Sequence, residues 1–242
     1  MTTSIKAHPL KGQNKFKLGV FSANADGGLA ITTVPERWSA RWSDCVTSAQ
    51  IADRAGLEFV LPIARWRGFG GQTQVREWSF ETFTWAAALA ALTERIGLFM
   101  TVHVPLVHPV YAAKALATVD HVSGGRAGLN IVCGWNPEEF AMFGTAPMDR
   151  PYEQAQEWID IILRAYASSE PFDYEGAHYQ LKGVVSRPAS LQLPRPVTMN
   201  AAFGPPGRDY AARNCDYLFS TFSTIEDGRR HVEDVKSRAF AF

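Results

Sequence analysis

The chain has 242 residues, with 24 Lys and Arg against 24 Asp and Glu and a formal net charge of zero. Apolar residues make up 46% and aromatics 12%, enough to bury a core, so a disordered, collagen-like or coiled-coil chain is excluded. Neutrality withholds the basic face that nucleic acid needs, and no nucleic-acid partner is expected.

The first fourteen residues, MTTSIKAHPLKGQN, are polar and carry no apolar run of the signal-peptide kind, so residues 1–15 are expected to form an N-terminal tail. Residues 16–22 (FKLGVFS) read as a first strand. Residues 39–55 place Trp42, Cys45, Val46, Ala49 and Ala52 on one helical face, and Gly56 stops the helix. Residues 59–64 (FVLPIA) form a second strand, residues 81–93 an Ala-rich helix and residues 96–102 (IGLFMTV) a third strand. The most membrane-like stretch, 84–110, is cut by Glu94, Arg95 and Pro105, so no bilayer span and a cytoplasmic location are expected. Pro109 opens a helix to about Val122 that closes on Gly124 and Gly125, and residues 126–133 (RAGLNIVC) form strand four.

Pro151 then sits in the first turn of a helix with the stripe Trp158, Ile161, Ile162 and Ala165. Residues 171–193 form a turn-rich excursion, read as a small hairpin carrying Tyr174, His178 and Tyr179. Strand five covers 196–203, a short helix 207–214, strand six 215–222, and a polar helix 224–239 ends the pattern. Strict alternation of non-alternating strands with helices means a parallel sheet covered by helices. A dinucleotide-binding sheet would carry GxGxxG after strand one, and SANADGGLAITTVPERW has no such spacing. The expected fold is therefore α/β, a (β/α)8 TIM-barrel type truncated after about six β/α units. It would be one domain over 16–242 with its C-terminal units missing, leaving two open sheet edges and favouring a homo-oligomer.

In such a barrel, reactive groups lie at the carboxyl ends of strands. Those positions hold Asn24, Asp26, Gly27 and Gly28, then Arg65, Trp66, Arg67 and the glycine-rich loop around Phe69. Further on come Thr101 and His103, then Asn130, Cys133, Gly134 and Trp135, and finally Asn200 and the turn Gly204–Arg208. Rich in Gly, amides, aromatics and Arg and poor in carboxylates, the set suits a large, flat, anionic cofactor. Gly204, Gly207 and Arg208 form the best phosphate candidate, at a helix start with a cation beside it; the alternative is a plain turn with a solvated Arg. Arg65 and Arg67 flank Trp66, where they could bind an anion or stack on a ring, or be ordinary surface arginines. Trp66 and Trp135, just past strand ends, are candidate pocket walls.

His103, at a strand end, is a candidate proton donor or polar wall. His103 and His108 span Pro105 and cannot share a helical face, so no metal site is expected. His8, His121, His178 and His231 read as surface or packing residues. Cys45, Cys133 and Cys215 are odd in number and far apart, which excludes a disulfide framework, and Cys133 has no evident base. Ser22 and Ser123 lack the GxSxG elbow.

RWRGFGGQT (65–73) and TVDHVSGGRAGLNIVCGW (118–135) resemble the bacterial luciferase-like flavin monooxygenases, nearest the branch with the pyrimidine and dimethylsulfone enzymes. The resemblance runs from Phe16 to about Ala239. It implies a (β/α) barrel using reduced FMN from a separate NAD(P)H-dependent flavin reductase. With O2 it would oxygenate a small pyrimidine-, sulfone- or sulfonate-like substrate through a flavin (hydro)peroxide. It implies flavin contact by Ala64, Arg65, Asn130, Glu139 and Tyr152, and a dioxygen site at Thr101 and Asn130. Around that cofactor, Arg65 and Arg67 would bind an anionic group, Trp66, Phe69 and Trp135 would wall the substrate pocket, and His103 would give a proton. Two departures stand out: the phosphate turn reads AAFGPPGR, with Gly204 in the family's Ser position, and Pro151 replaces the Arg of an Arg-Tyr pair, leaving Arg150 to substitute. A non-catalytic flavin-binding fragment and a deazaflavin (F420-type) hydride-transfer oxidoreductase are the alternatives.

Overall fold

The structure, a computed structural model, describes residue 5 and residues 7–240. Its first half runs β1 (Gly19–Phe21), α1 (Trp42–Ala55), β2 (Phe59–Leu61), α2 (Thr82–Leu92), β3 (Gly97–His103), α3 (Pro109–Ser123) and β4 (Ala127–Val132). A short helix α4 (Pro137–Met142), α5 (Pro151–Ala167) and the strands β5 (Phe172–Glu175) and β6 (Gln180–Val184) follow. The chain ends with β7 (Val197–Ala201), α6 (Pro205–Asn214), β8 (Tyr217–Phe219) and α7 (Ile225–Ala239).

Local chemistry sets the boundaries. Glu81 caps α2 by accepting from the N–H groups of Phe83 and Thr84, both at 2.8 Å. α3 starts on Pro109 and ends at Gly124, whose φ of 68° is left-handed backbone that glycine adopts without a Cβ penalty. α6 begins two residues earlier than its apolar pattern indicates, because Pro205 and Pro206 fit a first helical turn. The antiparallel β5–β6 pair is the expected hairpin.

Six strands form one parallel sheet in the order β1-β2-β3-β4-β7-β8, curled into an open half-barrel of the TIM type. Side chains alternate across it with the period of two that strands impose. Val60, Leu98, Met100, Leu129 and Ile131 pack outward into the helix layer, with Trp158 of α5 fully buried among them. Leu61, Phe99, Val197 and Met199 point inward, joined by Phe21, Phe59, Tyr217 and Phe219. Phe21 on one edge strand and Phe219 on the other meet across the interior at 4.9 Å between ring centroids.

Leu10 closes this inner cluster from the segment read as a polar tail. A 3-10 turn at Pro9–Lys11 positions it, Tyr217 Oη donates to its carbonyl at 2.9 Å, and the buried His8 ring lies edge-on to Phe99. The SGGR motif is likewise structural. Arg126 is buried and its guanidinium donates to the carbonyls of Ala90, Thr93, Ile96 and Ser123 at 2.7–2.9 Å, including ones left open at the end of α2. α7 buries no side chain and is tied to α6 by Arg208–Asp234 and Arg238–Asp209 ion pairs at 2.8 and 2.5 Å. Among the described residues, no helix is long and apolar enough to cross a membrane.

Candidate active site

At the carboxyl ends of the strands lies a cleft of about 500 Å³ lined by Ala64, Arg65, Thr101, His103, Asn130, Trp135 and Tyr152. It continues past Pro151 and Tyr152 into a second space of about 380 Å³ that reaches Arg150, Gly204 and Gly207. Behind the wall made by Ala64, Arg65, Thr101 and His103 is a smaller cavity of about 120 Å³, which Trp66 lines.

Parallel register places Thr101 of β3 beside Asn130 of β4, both facing inward. Asn130 Nδ2 donates to Thr101 Oγ1 at 3.1 Å, and Thr101 Oγ1 donates to the Pro62 carbonyl at 2.5 Å. The relay leaves Asn130 Oδ1 buried without a partner. The loop after β2 is held by Glu139 of α4, a helix too short for its period to show in the sequence. One carboxylate oxygen of Glu139 accepts from the N–H groups of Trp66 (2.8 Å) and Arg67 (3.2 Å) and faces Arg65 Nη1 at 3.2 Å. Arg65 Nε keeps no partner although its side chain is only 8% exposed.

His103 is buried with Nδ1 unpaired. Burial lowers its pKa to about 4, with Glu139 opposing and Arg65 adding to the shift, so the ring is neutral at pH 7. Burial likewise pushes the Cys133 thiol and the Tyr152 phenol up to about 12. Cys133 therefore lines the cleft as a neutral thiol rather than a thiolate nucleophile.

The structure redistributes the remaining candidates. Arg67 is exposed, paired with Glu138 at 3.2 Å and outside the cleft lining. Trp66 packs edge-on against Phe143 at the smaller cavity. Phe69 stacks on Trp135 with centroids 6.0 Å apart and planes at 15°, so it backs a cleft wall rather than lining it. Arg208 Nη1 pairs with Asp234 at 2.8 Å, which ties α6 to α7, while its Nε is buried without a partner among the described residues. At the start of α6, Pro205 and Pro206 carry no N–H, which leaves the N–H groups of Gly204 and Gly207 as donors. A Cβ on Gly207 would come 2.4 Å from Tyr152 Oη, so glycine is what lets the helix start touch Tyr152. Arg76, which also lines the cleft, had no signal in the sequence beyond its charge.

Among the described residues, no group of His, Cys, Asp and Glu is placed to hold a metal ion. The chain is 28% identical over 238 residues to the pyrimidine monooxygenase RutA of Acinetobacter baylyi, covering 92% of this chain and 63% of that one. It is 30% identical over 228 residues to the FMNH2-dependent dimethylsulfone monooxygenase of Pseudomonas putida, covering 93% and 61%. Of solved structures, the EDTA monooxygenase of Chelativorans sp. BNC1 superposes with a TM-score of 0.81 at 24% identity, over 94% of this chain and 61% of that one. An F420-dependent secondary alcohol dehydrogenase shares the fold at a TM-score of 0.75, 17% identity and 93% and 65% coverage. This chain thus spans about six-tenths of the length of these relatives. The model of the luciferase-like monooxygenases matches residues 16–241, and the chain belongs to that family.

Proposed function

We propose that this chain provides the flavin-binding cleft of an FMN-dependent monooxygenase, with reduced FMN, dioxygen and a small organic molecule as reactants and an NAD(P)H-dependent flavin reductase as the source of reduced flavin. The observation that carries this reading is a set of orphaned polar atoms on one cleft wall: Arg65 Nε, His103 Nδ1 and Asn130 Oδ1. Buried polar groups normally have partners. Two of these atoms sit on rigid strands and one on a loop pinned by Glu139, which suits the polar edge of a fused heteroaromatic ring. The adjoining space around Gly204 and Gly207 suits a terminal phosphate.

In that reading Ala64 and Arg65 meet one edge of the ring, with Arg65 held by Glu139. Asn130 offers its free carbonyl oxygen to a ring N–H. Tyr152 forms the passage to the phosphate space, where the N–H groups of Gly204 and Gly207 and the side chain of Arg150 act as donors. Bound reduced FMN supplies two electrons to dioxygen, so that one oxygen atom enters the substrate and the other leaves as water. Asn130, oriented by Thr101, keeps the second N–H of its amide as a neutral donor at the wall, while the neutral His103 ring can accept a proton at one nitrogen and give it from the other. Trp135, backed by Phe69, excludes water from the cleft mouth. The unpaired edges of β1 and β8 and the exposed apolar residues Ile225 and Val232 of α7 fit association into an oligomer.

The test is turnover under 18O2 with reductase-supplied FMNH2 over a substrate panel that spans uracil, dimethyl sulfone and small aromatic or aliphatic carboxylates and sulfonates. One labelled atom in the product and one in water is the expected result. Absence of label alongside hydride transfer from reduced F420 would instead support the deazaflavin reading.

A further inference from the structure

The cations of the cleft differ in whether their charge is already answered. Arg65 faces Glu139 and Arg67 faces Glu138, each at 3.2 Å, so neither is uncommitted. Arg76, on the loop between β2 and α2, lines the same cleft, and among the described residues no carboxylate lies within ion-pair distance of it. Its polar side-chain contact is a long bond from Nε to the Gly28 carbonyl at 3.4 Å. Its guanidinium carbon sits 5.4 Å from the centroid of Phe69, which Arg65 also approaches at 4.8 Å.

The backbone places Arg76 deliberately. Its φ of +63° is a left-handed conformation that residues other than glycine rarely adopt. Asp26 holds it there: its carbonyl accepts the Arg76 N–H at 3.2 Å, and its carboxylate accepts the Trp78 N–H at 2.9 Å. Burial, and after it the charge of Arg65, act against the protonated form of Arg76.

We propose that Arg76 is the substrate-anion receptor of this cleft, binding a carboxylate or sulfonate oxyanion on the molecule to be oxygenated. The proposal rests on the flavin reading of the same cleft. It assigns selectivity to a residue outside the glycine-rich motif, in place of the neutralised Arg65 and Arg67. A guanidinium presents paired N–H donors that match such an oxyanion bidentately, and Trp135 supplies an apolar wall beside it.

The experiment measures dissociation constants on the FMN-saturated chain for two charged probes, benzoate and benzenesulfonate, and their neutral isosteres, benzamide and benzenesulfonamide. FMN binding is measured on the same preparation. At least one anion should bind about tenfold or more tighter than its neutral isostere, the range of a charge-assisted hydrogen bond. Which anion shows the larger ratio identifies carboxylate or sulfonate as the natural group. The ratio should collapse in Arg76→Gln, survive in large part in Arg76→Lys, and shrink as salt is raised. Ratios near one in the wild-type chain, an undiminished ratio in Arg76→Gln, or no binding of any probe would overturn the proposal. Failure of FMN to bind would overturn the flavin reading instead, so the two failures are distinct.

Discussion

Replacing Glu139 by Gln removes a charge while retaining an amide oxygen for the Trp66 and Arg67 N–H groups. In the wild-type chain the Glu139 and Arg65 side chains are 2% and 8% exposed and lie 3.2 Å apart. Gln at 139 leaves the Arg65 cation buried with no counter-charge, and removing one partner of a buried pair costs about 3–5 kcal/mol. The expected loss is near the lower end of that range, because the two backbone bonds survive. Ala at 139 should cost about 1 kcal/mol more for each bond it forfeits. Urea unfolding followed by far-UV circular dichroism measures the loss, with an unchanged m-value confirming that the denatured state is unaltered. Adding Arg65→Met to Glu139→Gln should recover about 2 kcal/mol or more, since the uncompensated charge is then gone. A Glu139→Gln variant within about 1 kcal/mol of wild type, or strict additivity in the double variant, would refute the reasoning. The His103 ring gives a second readout. Glu139 raises its pKa against burial, so Glu139→Gln should lower it further in an NMR titration.

His8 and His103 are buried and neutral, with pKa values lowered to about 3 and about 4 from 6.5 chiefly by burial. The unfolded chain therefore binds more protons below pH 6.5, and stability should fall as pH drops from 6.5 toward 4 and then 3. His8→Gln should flatten that decline in urea midpoints, and parallel pH curves would contradict the assignment. Thr101→Val and Asn130→Ala should each slow the reaction of the bound reduced flavin with dioxygen in stopped-flow mixing, and wild-type rates would remove both from the mechanism. Arg208→Ala should change FMN affinity less than about threefold, because Arg208 pairs with Asp234 and does not line the phosphate space. Arg150 lines that space and pairs with Glu153 on the open surface, so Arg150→Ala should weaken FMN by about three- to tenfold. The reverse order would return the phosphate contact to Arg208.

Period carried most of the fold into the sequence. Apolar spacing and the stops at Gly56 and Gly124 mark α1, α3 and the strands between them, because burial on one helical face or within a covered sheet demands that pattern. Leu10 was hidden because a single apolar residue in a polar segment carries no period, yet it fills the inner cluster. Six-residue α4 was hidden for the same reason. Thr101 and Asn130 were legible as strand-end residues, and their pairing follows from parallel register. What the sequence could not show is which arginines are neutralised. Glu139 lies 74 positions from Arg65, and Asp234 lies 26 from Arg208, and only the folded chain brings those carboxylates within reach. Arg76 was invisible by the same logic, since its distinction is the lack of such a partner.

The central claim is that this cleft binds FMN by its ring at Arg65 and Asn130 and by its phosphate at Gly204 and Gly207. Anaerobic equilibrium dialysis of the chain against reduced FMN, reduced riboflavin and reduced FAD tests it directly. FMN should bind at least about tenfold tighter than riboflavin, the value of a phosphate held by charge-assisted hydrogen bonds, and tighter than FAD. Equal affinity for FMN and riboflavin, or no flavin binding at all, would contradict it.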